Sequence, residues 1–429
     1  AVCDRPGGLL SLEVARSQLL EALKPLDRAM NVPASQALGR LLAHELITPL
    51  DFPPFSNSAM DGYAVRAADA VPGARLRMVG TVRAGAAPEH RLGPGECLRI
   101  FTGAPMPEGA DAVMPVERVT FESHLAWVQD EIQSGKNVAL PGEDVAKGSV
   151  VLNAGRRLRP QDLGLLSSLG NDGVPVHSQP RVAMVVTGNE LLPPGTPPRD
   201  FQVADANSPM LRALVHRDGG IISGCQLISD DPQRIHEALL ADADVVLVTG
   251  GSSVGQEDYA PGLLARHGEL AIHGIAMRPG GPTGMGTLDG RLVFLLPGNP
   301  VSCLCAYDFF AGRAIRSLGG RSKIWPYSAV PCRLDREVDS VEGRVDYVRV
   351  RIAPGSPDAV DREPHVEPLF ASGGSMLSSA TQADGFIVVP EASRSLAAGS
   401  PVVMHRYDHP WEQESIASFS VGEVSDRGL

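Results

Sequence analysis

Apolar residues recur along the chain with two periods, and the change from one period to the other separates the predicted regions. Helical spacing of apolar residues predicts a helix over residues 11–28, with Ser11 at its N-cap, and another over 35–46. From about residue 52 to 142, short apolar runs alternate with Gly and Pro turns, which indicates a small β domain. Helical spacing returns over residues 159–169.

Residues 181–319 follow a rhythm of strand, loop and helix. The predicted strands are 182–186, 221–228, 245–248, 270–277 and 292–296, and the helices begin near Asn207 (as N-cap), Asp231 and Asn299. Nearly continuous apolar strands that alternate with helices indicate a parallel sheet covered on both faces. Residues 327–407 again have a β pattern and predict a small barrel or sandwich, and the last twenty or so residues look like a loose tail.

Composition limits the classes of function. A chain of 429 residues is expected to form two to four domains, and its net charge of −12 argues against a nucleic-acid partner. An anionic ligand would therefore need positive potential built locally, from backbone N–H groups, a few arginines or a metal. We find no apolar stretch long enough to span a membrane and no secretory signal pattern. The six cysteines form no CxxC pair and are expected to be reduced core thiols of a cytoplasmic protein.

Three glycine-containing loops follow predicted strands, at 187–190, 249–258 and 297–300. Ligands of open α/β sheets bind at the carboxyl ends of the strands, and the N–H groups at helix starts favour anions. The loops therefore predict a phosphate-binding cleft, whereas the plainer alternative is that the glycines only make tight turns. The candidate contacts in the loops are Gly250, Gly251, Ser252, Ser253, Gly255, Pro297, Gly298 and Asn299.

Four carboxylates accompany these loops, and hard oxygens beside phosphates suit Mg²⁺. Glu190 has no evident capping role, whereas Asp231 and Asp258 are each placed to cap a helix, and Asp230 is adjacent. Arg278 follows a predicted strand, where it could grip an oxyanion or simply be solvated. Motifs typical of zinc sites, serine hydrolases and P-loop nucleotidases are absent from the sequence.

The chain resembles the MoeA/gephyrin E-domain family, the molybdopterin molybdenumtransferases. The matching segments, in the family's order, are SNSAMDGYAVR (56–66), RIFTGAPMPEGADAVMP (99–115), GEDV (142–145), VVTGNELLPPG (185–195), DANSPML (205–211), SDDP (229–232), VTGGSSVGQEDY (248–259), LLPGNPVS (295–302) and GRVDYVR (343–349). The resemblance covers most of the chain, and the co-occurrence of so many segments is highly specific.

The resemblance implies a multidomain α/β plus β fold with a central MogA-like, doubly wound α/β domain. The implied parts are a helical/β linker domain (1–51 and 143–178), a small β domain (52–142), the MogA-like molybdopterin-binding domain (179–326), a C-terminal β-barrel domain (327–407) and a tail (408–429). It also implies a cytoplasmic homodimer whose active sites are shared between subunits.

The reaction that the resemblance implies is the Mg²⁺-dependent insertion of molybdate into adenylylated molybdopterin, with release of AMP. A MogA-type adenylyltransferase and molybdoenzyme apoproteins are implied as partners, and the sequence does not distinguish molybdate from tungstate. Carried over by motif, the cleft residues are Asp61, Thr102 and Asp144 from the partner side; Glu190, Asp230 or Asp231, and Asp258 around metal, adenylate and molybdate; and Arg349 and Ser375 from the C-terminal domain.

One departure from the family bears on function. Where the family commonly has the pattern KxxxKPGKP, this chain keeps a single cation, Arg278, and has Gly274 and Gly281 in place of two lysines. Loss of those charges favours the alternative hypothesis that the chain forms a noncatalytic dimer that binds pterin or a protein partner. A nucleotide-processing enzyme with a MogA-like fold, as in competence-damage-type amidohydrolases, is a third reading, and the segments between residues 56 and 115 argue against it.

Overall fold

The computed structural model describes residues 8–171, 173–251, 258–353, 363–369 and 376–407. The chain forms two compact units, a small unit of Ala29–Val176 and a large unit built from the residues before and after it. Within the described ranges, no helix combines the length and hydropathy that a membrane span requires.

The α-helices are short, and proline and aspartate fix the beginnings of several of them. Among the described residues they are α1 Leu12–Ala22, α2 Pro160–Ser168, α3 Asn207–Arg217, α4 Pro232–Leu239, α5 Tyr259–His267, α6 Pro300–Ala306, α7 Gly312–Leu318 and α8 Leu377–Thr381. A π-helical turn, Tyr307–Ala311, joins α6 to α7, so a continuous helical segment follows the start that was predicted near Asn299. The helix predicted over 35–46 is wrong, because only a 3₁₀ turn, Ala34–Gln36, forms there.

The small unit is mostly β structure. Its strands are β1 Ala29–Pro33, β2 Leu46–Ile47, β3 Asn57–Ser58, β4 Gly62–Val65, β5 Arg75–Val82, β6 Glu96–Ile100, β7 Ala112–Pro115, β8 Val119–Glu122, β9 Leu125–Val128, β10 Val138–Ala139, β11 Val150–Leu152 and β12 Gly173–His177. Six of them form the main sheet, in the order β7-β4-β6-β5-β9-β8, and the others pair as β1-β12, β2-β11 and β3-β10. The main sheet agrees with the β fold that was predicted for this part of the chain, whereas the boundaries 52 and 142 remain a prediction.

The α/β part of the large unit has a mixed sheet. Its strands are β13 Arg181–Thr187, β14 Leu191–Leu192, β15 Val203–Ala204, β16 Ile221–Ile228, β17 Val245–Thr249, β18 Glu269–His273, β19 Met277–Arg278, β20 Gly284–Leu288 and β21 Arg291–Leu296. The main sheet has the order β16-β13-β17-β21-β20-β18. The first four strands are parallel, as predicted, but β20 and β18 run antiparallel to their neighbours. The sequence pattern missed β20 because Gly284 and Gly286 weaken its apolar signal.

The last part of the large unit is a closed barrel. Its strands are β22 Ser328–Leu334, β23 Val338–Asp339, β24 Val345–Ile352, β25 His365–Pro368, β26 Gly385–Val389, β27 Ser395–Leu396 and β28 Pro401–Arg406. The pairings run β24-β25-β22-β28-β26 and close through β26 and β24. Of the two predicted arrangements, barrel or sandwich, the structure has the barrel.

One apolar core runs through the large unit. It joins Leu12 and Leu19 of α1, Phe310 of the π-helical turn, Leu247 of the sheet and Phe386 of the barrel. Helix α1 therefore packs within the large unit, although the predicted boundaries assigned it to a linker domain with residues 143–178. The domain boundaries as a set remain a prediction.

The described cysteines are unpaired, as expected. Cys97, Cys303, Cys305 and Cys332 are buried, whereas Cys225 lies exposed on edge strand β16, so the expectation of core thiols is wrong for Cys225.

Candidate functional site

Three predicted loops leave the sheet at the same edge. Strands β13 and β17 end in Thr187 and Thr249, and β21 ends in Leu296. Thr249 lies opposite Val186 on one side and opposite Leu296 on the other. Because neighbouring parallel strands end in register, the loops that follow them lie side by side, as the sequence predicted.

Asn207 ties two of these loops together. Its amide nitrogen donates to the Thr249 hydroxyl at 2.8 Å and to the Gly298 carbonyl at 2.7 Å. The Thr249 hydroxyl in turn donates to the Pro297 carbonyl at 3.3 Å. The sequence pattern predicted Asn207 as the cap of α3, but that role belongs to Asp205, whose Oδ1 accepts from the backbone N–H groups of Asn207 and Ser208.

Gly250 lets the second loop approach the first very closely. Its φ is +87°, and a Cβ at this position would lie 2.1 Å from the carbonyl oxygen of Thr187. At Gly298, a Cβ would lie 3.5 Å from the Cα of Gly250. Glycine is therefore required at position 250 for contact between loops as well as for a turn.

Two buried polar atoms beside these loops have no hydrogen-bond partner within the described part of the chain. They are the hydroxyl of Thr187 and the amide oxygen of Asn207, and both residues are buried. The position of a Gly251 Cβ would lie 3.1 Å from the Thr187 hydroxyl and 3.9 Å from Asp258 Oδ1. Sequence reasoning missed both residues as site candidates, because a threonine at a strand end and an asparagine at a helix start are ordinary there.

The four carboxylates that were predicted on the metal side differ in their hydrogen bonds and exposure. Asp231 Oδ1 accepts the N–H groups of Gln233 and Arg234 at 2.8 and 3.0 Å and so caps α4. Asp230 Oδ2 accepts the N–H of Asn189 at 3.1 Å. The structure thus supports the capping alternative for Asp231.

Glu190 is exposed in the turn after β13, and Asp258 precedes α5 without making a side-chain cap. Across the described ranges, no group of three or more His, Cys, Asp or Glu side chains is arranged to hold a metal. Four predicted contacts, Ser252, Ser253, Gly255 and Ser375, lie outside the described residues.

A separate cavity of about 680 Å³ lies between the α/β part and the barrel of the large unit. Three arginines line it, Arg278, Arg344 and Arg349, together with the Pro279–Gly281 segment and Ser302. Arg278 lies in β19, in register with Asp346 of β24, and the two side chains form an ion pair. Of these, the sequence pattern singled out Arg278 directly and Arg349 by resemblance, but it missed Ser302, Arg344 and Asp346.

In the small unit, the structure brings Asp61 and Thr102 together. Asp61 Oδ1 accepts the backbone N–H of Thr102 at 2.8 Å and its hydroxyl at 2.7 Å. These two hydrogen bonds, with the nearby charge of Arg99, lower the pKa of the Asp61 carboxyl below its usual range. Arg99 is itself fixed, because it donates to the Gly62 carbonyl at 2.8 Å and lies 5.1 Å from the Tyr63 ring centroid.

Asp144 lies elsewhere in the small unit, in an exposed turn where its backbone N–H donates to the Phe52 carbonyl at 3.1 Å.

The chain matches three family models in succession. Residues 10–170 match the MoeA N-terminal region (domains I and II), residues 183–317 match a probable molybdopterin-binding domain, and residues 331–405 match the MoeA C-terminal region (domain IV).

Relatives match the chain over most of its length. The molybdopterin molybdenumtransferase of Haemophilus influenzae is 31% identical over 409 residues, which cover 94% of this chain and 99% of that protein. Molybdopterin molybdenumtransferase 2 of Mycobacterium tuberculosis is 36% identical over 318 residues, which cover 71% of this chain and 78% of that protein.

A crystal structure of a molybdopterin biosynthesis MoeA protein from Pyrococcus horikosii aligns with a TM-score of 0.77 and 31% identity, covering 94% of this chain and all of that one. Fold, sequence segments and relatives agree, so the chain belongs to the MoeA family of molybdopterin molybdenumtransferases, the transferases of molybdenum cofactor biosynthesis.

Proposed function

We propose that the chain inserts molybdate into adenylylated molybdopterin and releases AMP, with Mg²⁺ as cofactor. The observation that carries this proposal is the 680 Å³ cavity of the large unit, whose lining includes three arginines. The chain as a whole has a net charge of −12, so a cluster of guanidinium groups is a local exception to the overall charge. Such a cluster suits a small dianion, because guanidinium N–H groups pair with oxyanions in two-point contacts.

In this proposal the adenylylated pterin lies along the strand-end loops. Gly250 brings the second loop against the first, and Asn207 fastens the third loop to the second. Backbone N–H groups of such a fixed, glycine-lined edge suit the phosphoanhydride. Rate enhancement would come from positioning and from charge stabilisation as AMP leaves, which needs no covalent intermediate on the protein.

The carboxylates at this edge have the chemistry that Mg²⁺ requires. Mg²⁺ prefers hard oxygens and usually keeps several waters, with one or two carboxylates and the substrate phosphates as its other ligands. Glu190, Asp230 and Asp258 would hold it, whereas Asp231 already has one carboxylate oxygen committed to the cap of α4. When bound, the ion would neutralise phosphate charge.

Asp61 and Thr102 form the second polar group of the proposal. Their hydrogen bonds keep the Asp61 carboxylate ionised and rigid, which suits a residue that orients a substrate donor or a hydrated cation. We include Asp144 on the strength of the family resemblance alone. The proposal also includes a homodimer in which the two copies share each active site.

A matched pair of glutamate variants tests the assignment of the site. Glu190→Ala should reduce molybdenum incorporation into pterin, measured by elemental analysis of the product, by at least about 100-fold, because the carboxylate acts on charged substrate in the cleft. Glu237→Ala is the control, since Glu237 is exposed on α4, where its carboxylate accepts from the Gln233 amide at 3.1 Å. A Glu190→Ala protein that inserts molybdenum at the native rate would show that the site is assigned wrongly.

A further inference from the structure

Asp346 holds two arginines of the cavity at once. Its side chain is 1% exposed, and it accepts from Arg278 and from Ser340, the latter at 3.0 Å. Arg344 Nε donates to its other oxygen at 2.8 Å, and Arg344 Nη2 approaches Oδ2 at 3.4 Å. A buried carboxylate that accepts from this many donors fixes the guanidinium groups that surround it.

Sharing one carboxylate between two guanidinium groups leaves an excess of positive charge. Arg278 and Arg344 together carry two charges against the single charge of Asp346, and Arg349 adds a third cation to the lining. Asp339 is the other acid among the described lining residues, and its side chain is on an exposed strand position. The local excess of positive charge around Asp346 therefore suits an anionic ligand, although the chain is acidic overall.

Both shared arginines retain donors for a ligand. Their side chains are 53% exposed for Arg278 and 28% exposed for Arg344. The contacts of the described residues use Nη2 of Arg278 and Nε and Nη2 of Arg344. Nε and Nη1 of Arg278 and Nη1 of Arg344 remain available, so each guanidinium can donate to an oxyanion without leaving Asp346.

Gly274 and Gly281 stand where the family commonly has lysines, so the charge of Arg344 is a larger share of what remains. Gly281 lines the same cavity without a side chain, and Gly274 is held at φ +85° nearby. Within the described lining, the positive charge comes from Arg278, Arg344 and Arg349.

We propose that Arg344 is a molybdate-binding residue, which Asp346 aligns with Arg278 to form a two-guanidinium clamp for a tetrahedral dianion. This inference rests on the proposed function and adds a specific residue to it. Asp346 is a positioning residue, because it acts on the oxyanion through the two arginines.

The test is direct binding of molybdate to the full chain, by equilibrium dialysis, with no pterin present. Arg344→Gln should raise the Kd for molybdate by about tenfold or more and make the salt dependence of binding shallower. Arg344→Lys should recover part of the affinity, because it restores the charge but not the planar fork. The control is Arg394→Gln, since Arg394 is 83% exposed and pairs with Glu342, outside the cavity lining.

A second measurement separates binding from a merely structural role. The KM for molybdate should rise in Arg344→Gln while the KM for the adenylylated pterin changes by less than about twofold, with a circular-dichroism spectrum like that of the unmodified chain. If Arg344→Gln does not fold, the same comparison is made with Arg344→Lys, whose molybdate Kd should still exceed that of the unmodified chain by about threefold.

Equal molybdate affinity in the unmodified chain and in the folded Arg344 variants would overturn the clamp and leave the proposed function standing. No molybdate binding by the unmodified chain would overturn both.

Discussion

Replacing Gly250 by alanine tests whether the close approach of the strand-end loops supports function. The added Cβ would lie 2.1 Å from the Thr187 carbonyl oxygen, 2.9 Å from its hydroxyl and 3.1 Å from its carbonyl carbon. The first of these is a backbone atom of strand β13, so no side-chain rotation relieves the contact. The loop has to move, and the Gly298 loop that touches it is expected to move with it.

The energetic cost has two unfavourable parts and one favourable part. A left-handed φ of +87° costs an alanine about 1–2 kcal/mol, and the forced displacement costs roughly another 1–3 kcal/mol. The lower entropy of the unfolded alanine chain offsets about 0.4–1 kcal/mol. We therefore expect a net loss of about 1–4.5 kcal/mol in the free energy of unfolding of the large unit.

The assay combines urea unfolding with molybdate-dependent AMP release. Gly250→Ala should shift the unfolding midpoint downward and, under conditions where the protein remains folded, reduce AMP release by at least about tenfold, because small displacements of binding groups are costly. Gly262→Ala is the matched control. Gly262 lies in helix α5 with nothing within 4 Å of its Cβ position, so alanine should stabilise the protein by about 0.5–1 kcal/mol. Native stability and native AMP release in Gly250→Ala would show that the close approach of the loops is needed for neither folding nor function.

Three further changes have expected outcomes. Burial raises the pKa of Asp308 from 3.8 to about 6, so the folded state takes up a proton more readily than the unfolded state. As the pH rises from about 4 to 6, the free energy of unfolding of the unmodified chain should therefore fall relative to that of Asp308→Asn, and urea unfolding across that range checks it. Thr102→Ala removes one of two hydrogen bonds to Asp61 and should raise the pKa of that carboxyl, measured by ¹³C NMR titration; an unchanged pKa would contradict the role given to the hydroxyl. Gly281→Lys should tighten molybdate binding by roughly 3–10-fold, since its nearest contacts are backbone oxygens at 3.4 and 3.5 Å, whereas Gly274→Lys should destabilise the protein because of its φ of +85°.

The sequence pattern predicted those parts of the fold that follow from local apolar periodicity. Nearly continuous apolar runs followed by glycine loops predicted strands β13, β17 and β21, and the structure has a strand and a following loop at each of these places. The helix predicted over 35–46 is wrong because Leu41 and Leu42, within that segment, are held in isolated β-bridges with Arg157 and Val176. Such long-range pairing overrides local periodicity and leaves no local trace.

The site shows the same division between local and long-range information. The glycine loops were recognisable because a strand followed by glycines is a local signal. The clamp of Arg278, Arg344 and Asp346 was not, because Arg278 and Asp346 are 68 residues apart and meet only through pairing of β19 with β24. The same holds for Asn207, whose amide contacts Gly298 91 positions later in the chain.

AMP release from adenylylated molybdopterin by the purified full chain decides whether this protein inserts molybdenum. We expect release that requires molybdate, that is abolished by EDTA and that is restored by added Mg²⁺. Release should also saturate with molybdate, since the arginine-lined cavity provides a finite site. A folded protein that releases no AMP at any molybdate concentration would contradict the proposed reaction and would favour the alternative of a noncatalytic, pterin-binding member of the family.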